Sequence, residues 1–93
     1  MKYCEKFEAA DTASRKEMED GNKVAEEAWH ILQSGLDNAN DTYYEKKNTD
    51  EAFDHEDEEF WRIAYDSAAG LAVSPGMCSD EARAWLEAHD IIG

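Results

Sequence analysis

A chain of 93 residues with a formal net charge of −14 at pH 7 and a hydrophobic fraction of 42% has room for one domain and one modest core. That apolar fraction, with three tryptophans, four tyrosines and three phenylalanines, excludes a disordered acidic tail, and the charge excludes nucleic acid and anionic membranes as direct partners. No segment approaches the roughly 20 apolar residues of a membrane span, and MKYCEKFEAADTAS at the N-terminus holds no signal-like apolar run; a cytoplasmic protein is expected, with Cys4 and Cys78 as reduced thiols in packing roles.

Apolar residues recur at helical rather than alternating spacing, and the chain contains only two valines and four isoleucines. This predicts an all-α single domain over residues 1–93, a small bundle or open array of three to four helices. The first helix is expected from about Tyr3 to Asp20, with Tyr3, Phe7, Ala10, Ser14 and Met18 on one stripe and Gly21-Asn22 as its break. The second starts near Asn22 and carries Val24, Ala28, Ile31, Leu32, Gly35, Ala39 and Tyr43. Gly35 and the polar run from Asp37 to Thr42 are poor helix formers, so this helix either stops near Ser34 or continues to about Lys47. The continued period through Leu36, Ala39, Tyr43 and Tyr44 favours continuity.

A third helix is expected after the capping pair Asn48-Thr49, with Phe53, Phe60, Ala64, Ser67, Ala68 and Leu71 on its stripe and Trp61 and Ile63 beside it. Gly70 and then Ser74-Pro75-Gly76 should end it. Ser79 is placed as the cap of a last helix in which Ala82, Trp85, Leu86 and His89 share a face. Ile91 and Ile92 follow as a C-terminal anchor.

The charge is unevenly spread. Residues 1–23 carry five basic and six acidic groups, 24–47 two and five, and 48–93 two and twelve, with no lysine after Lys47. Between Asp50 and Glu59 seven of ten residues are acids. On a helix those seven would span about 14 Å, one charge per roughly 2 Å, close to the spacing of about 1.7 Å per charge along a DNA duplex. A domain indifferent to partners gains solubility from such a face but would intersperse lysines, as the first helix does with Lys2, Lys6, Arg15 and Lys16. Glu51, Asp54, Glu58, Glu59 and Asp66 are expected to point away from the apolar stripe, with Arg62 as the one relieving cation. Asp37, Asp41 and Glu45 on the neighbouring helix could extend the negative surface.

No catalytic or metal constellation competes with this reading. Glu27-Ala28-Trp29-His30 is a single Glu-x-x-His, whereas carboxylate-bridged metal bundles use two such motifs with further glutamates. With Val24, Ala28 and Leu32 facing inward, Glu27 lies at the margin and His30 points away. Asp54, His55 and Glu58 lack the central glycine turn of a calcium loop, and neither cysteine belongs to a Cys-x-x-Cys pair. Asp57 alone falls on the apolar stripe, where it is either a shifted carboxyl or a first-turn residue favoured by the helix dipole. There is no glycine-rich phosphate loop or nucleophile elbow. No enzyme, cofactor or metal is expected.

A short, helical, strongly acidic chain with the run DEAFDHEDEE resembles, in size and character, the small proteins that phages direct against host defence, including anti-CRISPR proteins and DNA mimics. The resemblance implies a non-enzymatic inhibitor acting in the host-cell cytoplasm, with a basic nucleic-acid-binding protein such as a CRISPR effector subunit as partner. The partner-binding residues are then expected to be Asp50, Glu51, Asp54, Glu56, Glu58, Glu59 and Asp66, with Tyr44 and Tyr65 as partly exposed aromatics. Two alternatives stay open: a helical module that self-associates, and an immunity-type neutraliser of a basic nuclease. Either a monomer or a homodimer is compatible with the pattern.

Overall fold

The computed structural model describes residues 2–47, 58–74 and 76–91. The protein is all-α, with helices α1 (Tyr3–Glu19), α2 (Lys23–Lys47), α3 (Glu58–Val73) and α4 (Asp80–Ala88). The long α2 is the common platform, packing against each of the other three.

Local chemistry sets most helix ends. The Lys2 backbone N–H donates to the Glu5 carboxylate at 3.3 Å at the start of α1. Gly21 then takes a left-handed φ of +89°, which lets its N–H reach Met18 O at 2.9 Å and the Asn22 N–H reach Glu17 O at 3.0 Å; glycine adopts this conformation without a Cβ penalty. Asn22 at once caps α2, its Oδ1 accepting from the N–H groups of Val24 at 3.0 Å and Ala25 at 3.3 Å.

Helix α2 continues unbroken through Gly35 to Lys47. The reason lies in α3. A Cβ built on Gly35 would stand 2.8 Å from the Ala64 carbonyl oxygen and 3.0 Å from the Ala68 Cβ. The two helices meet on small residues, Gly35 against Ala64 and Ala68, with Ala39 one turn on, all buried. Close backbone packing therefore offsets a glycine cost of about 1 kcal/mol in helix propensity.

Helix α3 corrects one boundary: it passes through Gly70, expected as its end, and runs to Val73. One glycine inside a helix lowers its stability without breaking the hydrogen-bond ladder. The Ser74 hydroxyl donates to the Gly70 carbonyl at 2.8 Å, and Gly76 supplies the turn with φ +79°. The expected start after Asn48-Thr49, the stripe residue Phe53 and the ambiguous Asp57 lie outside the described residues. Ser79 caps α4 as expected, its Oγ accepting from the Ala82 N–H at 3.1 Å.

Buried side chains follow the helical stripes: Phe7, Ala10 and Ser14 on α1, Ala28, Ile31, Leu32, Ala39 and Tyr43 on α2, Phe60, Ala64 and Ala68 on α3, Ala82 and Leu86 on α4. Trp61, expected beside the stripe, is buried with only 6% exposed. It joins a chain of tilted and edge-on rings in which Tyr43 meets Phe60 at 5.7 Å, Phe60 meets Trp61 at 5.3 Å and Trp61 meets Phe7 at 5.7 Å. Such pairs add about 0.5–1.5 kcal/mol each beyond the area they bury. Ser67 and Leu71 remain half-buried, because their positions look along the α2–α3 seam rather than into it. Ile91 is fully buried and closes the core at the end of the described chain.

Candidate partner-binding surface

The expected outward set divides once the helices are assembled. Asp66 is exposed, as expected. Glu58 is not part of that outward face. Its carboxylate accepts the Tyr3 backbone N–H at 3.1 Å and hydrogen bonds from the Cys4 thiol and backbone N–H, so it caps the first turn of α1 from α3. Four N–H groups at a helix start lack intrahelical acceptors, and a carboxylate there satisfies both hydrogen bonding and dipole. Partial desolvation pushes the Glu58 carboxyl upward, but the hydrogen bonds from Cys4 and Tyr3 outweigh it and leave the group below its ordinary value. The same contact pushes the Cys4 thiol up, since the proton it donates is held by a neighbouring carboxylate.

Glu59 is half-buried. So is Tyr65, whose ring packs against Tyr3 at 5.3 Å. The Lys6 ammonium lies 5.7 Å from the centre of the Tyr65 ring and 6.0 Å from that of Tyr3. Tyr65 therefore staples α3 to α1 while keeping one edge in solvent. Asp50, Glu51, Asp54 and Glu56 lie outside the described residues, as does the side chain of Tyr44.

The remaining motif residues serve the fold. Glu27 accepts the Ser79 backbone N–H at 2.7 Å and the Ser79 hydroxyl at 2.8 Å, which occupies its carboxylate at the start of α4. His30 is exposed and lies 4.0 Å from Glu26. The two ends of the Glu-x-x-His motif thus diverge, and among the described residues no group of three or more His, Cys, Asp and Glu side chains converges on a metal position. Cys4 and Cys78 are free thiols. Burial pushes the Cys78 thiol up, with Glu27 adding to the effect, and it donates to the Ala72 carbonyl at 3.4 Å. Glu17 binds the far end of α4 by accepting from Trp85 Nε1 at 3.1 Å.

Three acids on α2 and α3 stay outward. Asp37 and Asp41 stand one turn apart on α2 and Asp66 stands on α3, all exposed. Among the described residues none of the three has a hydrogen-bond or ion-pair partner. By contrast Asp11 on α1 pairs with Arg15 at 3.3 Å and Asp80 on α4 with Arg83 at 3.4 Å. Between α2 and α3 an open groove of about 550 Å³ is lined by Asn38, Asp66, Ser67, Gly70, Leu71 and Ser74. Asn38 Nδ2 donates to Ser67 Oγ across it at 2.6 Å. Sequence reasoning missed this groove, because Asn38 and Ser67 are 29 residues apart and neither belongs to a motif. The sole available hint was a serine on an otherwise apolar stripe.

No family model, curated protein or solved structure matches the chain.

Proposed function

We propose that this chain is a non-enzymatic acidic inhibitor, of the anti-CRISPR or DNA-mimic kind, that occupies a basic nucleic-acid-binding surface of a host defence protein. The observation that carries the reading is the contrast in pairing. Asp37, Asp41 and Asp66 stand exposed and unmatched among the described residues, whereas Asp11 on α1 and Asp80 on α4 are each matched by an arginine of their own helix. Unmatched charge is a liability in a small fold, since it raises the energy of the compact state. On a docking face it becomes useful, accelerating encounter with a cationic surface and discriminating against anionic ones. The acids from Asp50 to Glu59 would add to that field.

The test uses purified RNA-guided nuclease complexes and their labelled target DNA. Addition of the chain should abolish DNA binding by a susceptible complex at low salt, with inhibition weakening as salt rises. The variant carrying Asp37→Lys, Asp41→Lys and Asp66→Lys should fold and lose inhibition. Glu58 is left intact because it supports α1. Full inhibition by the folded triple variant would sink the charge-mimic reading.

A further inference from the structure

The two glycines of the α2–α3 pair differ in what surrounds them. Gly35 is dictated by packing, but a Cβ on Gly70 would meet nothing within 4 Å. Gly70 lies inside α3 with no positive φ, in a position where any better helix former would fit. Its consequence is space: Gly70 lines the groove, with Asp66 one turn before it on α3 and Ser74 one turn after it.

The groove is also rich in hydrogen-bond acceptors. The Asp66 carboxylate offers only acceptors. Asn38 commits one of its two amide N–H bonds to Ser67 at 2.6 Å and keeps its carbonyl oxygen as an acceptor. Ser74 spends its proton on the Gly70 carbonyl at 2.8 Å and keeps its lone pairs. Leu71, half-buried, supplies one apolar wall. Acceptors around an anion, with an apolar wall beside them, match a donor-rich cation on an aliphatic stem.

We infer that the Gly70 groove between α2 and α3 seats an arginine side chain of the basic partner, its guanidinium on Asp66 and Asn38 and its methylenes on Leu71. This rests on the basic-partner reading above and names the contact that fixes register within it. Arginine suits the groove better than lysine because five N–H donors in a planar fork can reach several acceptors at once. A second copy of this chain is disfavoured as occupant, since two molecules of charge −14 repel.

The probe is an acetylated, amidated Gly-Arg-Gly tripeptide, titrated into ¹⁵N-labelled full chain at low salt, with the citrulline tripeptide as neutral control. Saturable shift changes should be confined to the amides of Asn38, Asp66, Ser67, Gly70 and Ser74, and absent with citrulline. Asp66→Asn should weaken the response at least fivefold. Gly70→Trp, or Gly70→Gln should the larger ring unfold the helix, should plug the groove and weaken it tenfold or more. Shifts spread over the acidic residues at large, or unchanged by Gly70→Trp in a folded protein, would overturn the assignment. So would concentration-dependent shifts of the same amides without peptide, which would make a second copy the occupant. The titration contains no defence protein, so it can fail while the triple charge reversal still abolishes inhibition; the partner would then be held by surface charge without this groove.

Discussion

The carboxylate of Glu27 holds Ser79, 52 residues away, by two hydrogen bonds of 2.7 and 2.8 Å to the backbone N–H and the hydroxyl. Ser79 in turn accepts the Ala82 N–H at 3.1 Å. A side chain of α2 thus positions the residue that starts α4, and α4 is short enough that it depends on being positioned. Replacing Glu27 by alanine is expected to cost about 2 kcal/mol, because the bonds involve a charged acceptor. Ser79→Ala is expected to cost about 1 kcal/mol as a lost cap. The double variant should lose less than the sum, since both act on one network. Urea unfolding measures the three values, and hydrogen exchange should show α4 amides exposed first in either variant.

Gly35→Ala separates packing from propensity. Propensity alone predicts a gain of about 1 kcal/mol. The new methyl would meet the Ala64 carbonyl oxygen at 2.8 Å, a backbone atom that cannot swing aside, so the helices must part. The expected outcome is a net loss of about 1–3 kcal/mol, read by thermal or urea denaturation. An unchanged midpoint would show that the α2–α3 crossing yields more easily than its geometry implies.

Glu58 and Cys4 give the stability opposite pH dependences. The Glu58 carboxyl is lowered in the folded state, so folding favours its ionised form. Its contribution is present above the ordinary carboxylate value and disappears as pH falls through the folded value. The Cys4 thiol is raised, so its contribution is present below the ordinary thiol value and fades as pH rises through the folded one. Glu58→Gln should flatten the acid limb of the stability curve. Cys4→Ala should flatten the alkaline limb and move the Glu58 titration, followed by NMR of its carboxyl carbon, toward the ordinary value.

Asp90 occupies the left-handed region with φ +63°, the position that ends α4 before Ile91 folds back to bond Leu86 O at 3.0 Å. Aspartate tolerates this conformation better than most residues, but glycine tolerates it without strain. Asp90→Gly is expected to stabilise by about 0.5–1 kcal/mol, measured by urea unfolding. A loss would mean that the carboxylate itself supports the turn.

The triple lysine variant at Asp37, Asp41 and Asp66 carries a thermodynamic signature apart from inhibition. Relieving self-repulsion should raise its melting temperature above wild type at low ionic strength. The difference should shrink as salt approaches 0.15 M, where screening acts within about 8 Å. A salt-independent destabilisation would mean that one of these aspartates serves the fold.

The sequence by itself determined the all-helical class, most of the apolar stripes and the charge imbalance. Helical period, the Gly21-Asn22 break and the Ser79 cap are local signals, written within a few residues of where they act. Only the tertiary structure decided what each carboxylate does. Glu58 and Glu27 carry the same charge as Asp66, yet the first two serve as caps for helices 55 and 52 residues away in sequence, while Asp66 stands exposed beside the α2–α3 groove. The same holds for the glycines: Gly35 is dictated by the approach of Ala64 and Gly70 by nothing that touches it. The physical reason is that period and propensity are properties of one helix, whereas a hydrogen-bond partner or a steric limit belongs to whichever helix packs against it. Only assembly distinguishes an acid held by the fold from one left for a partner.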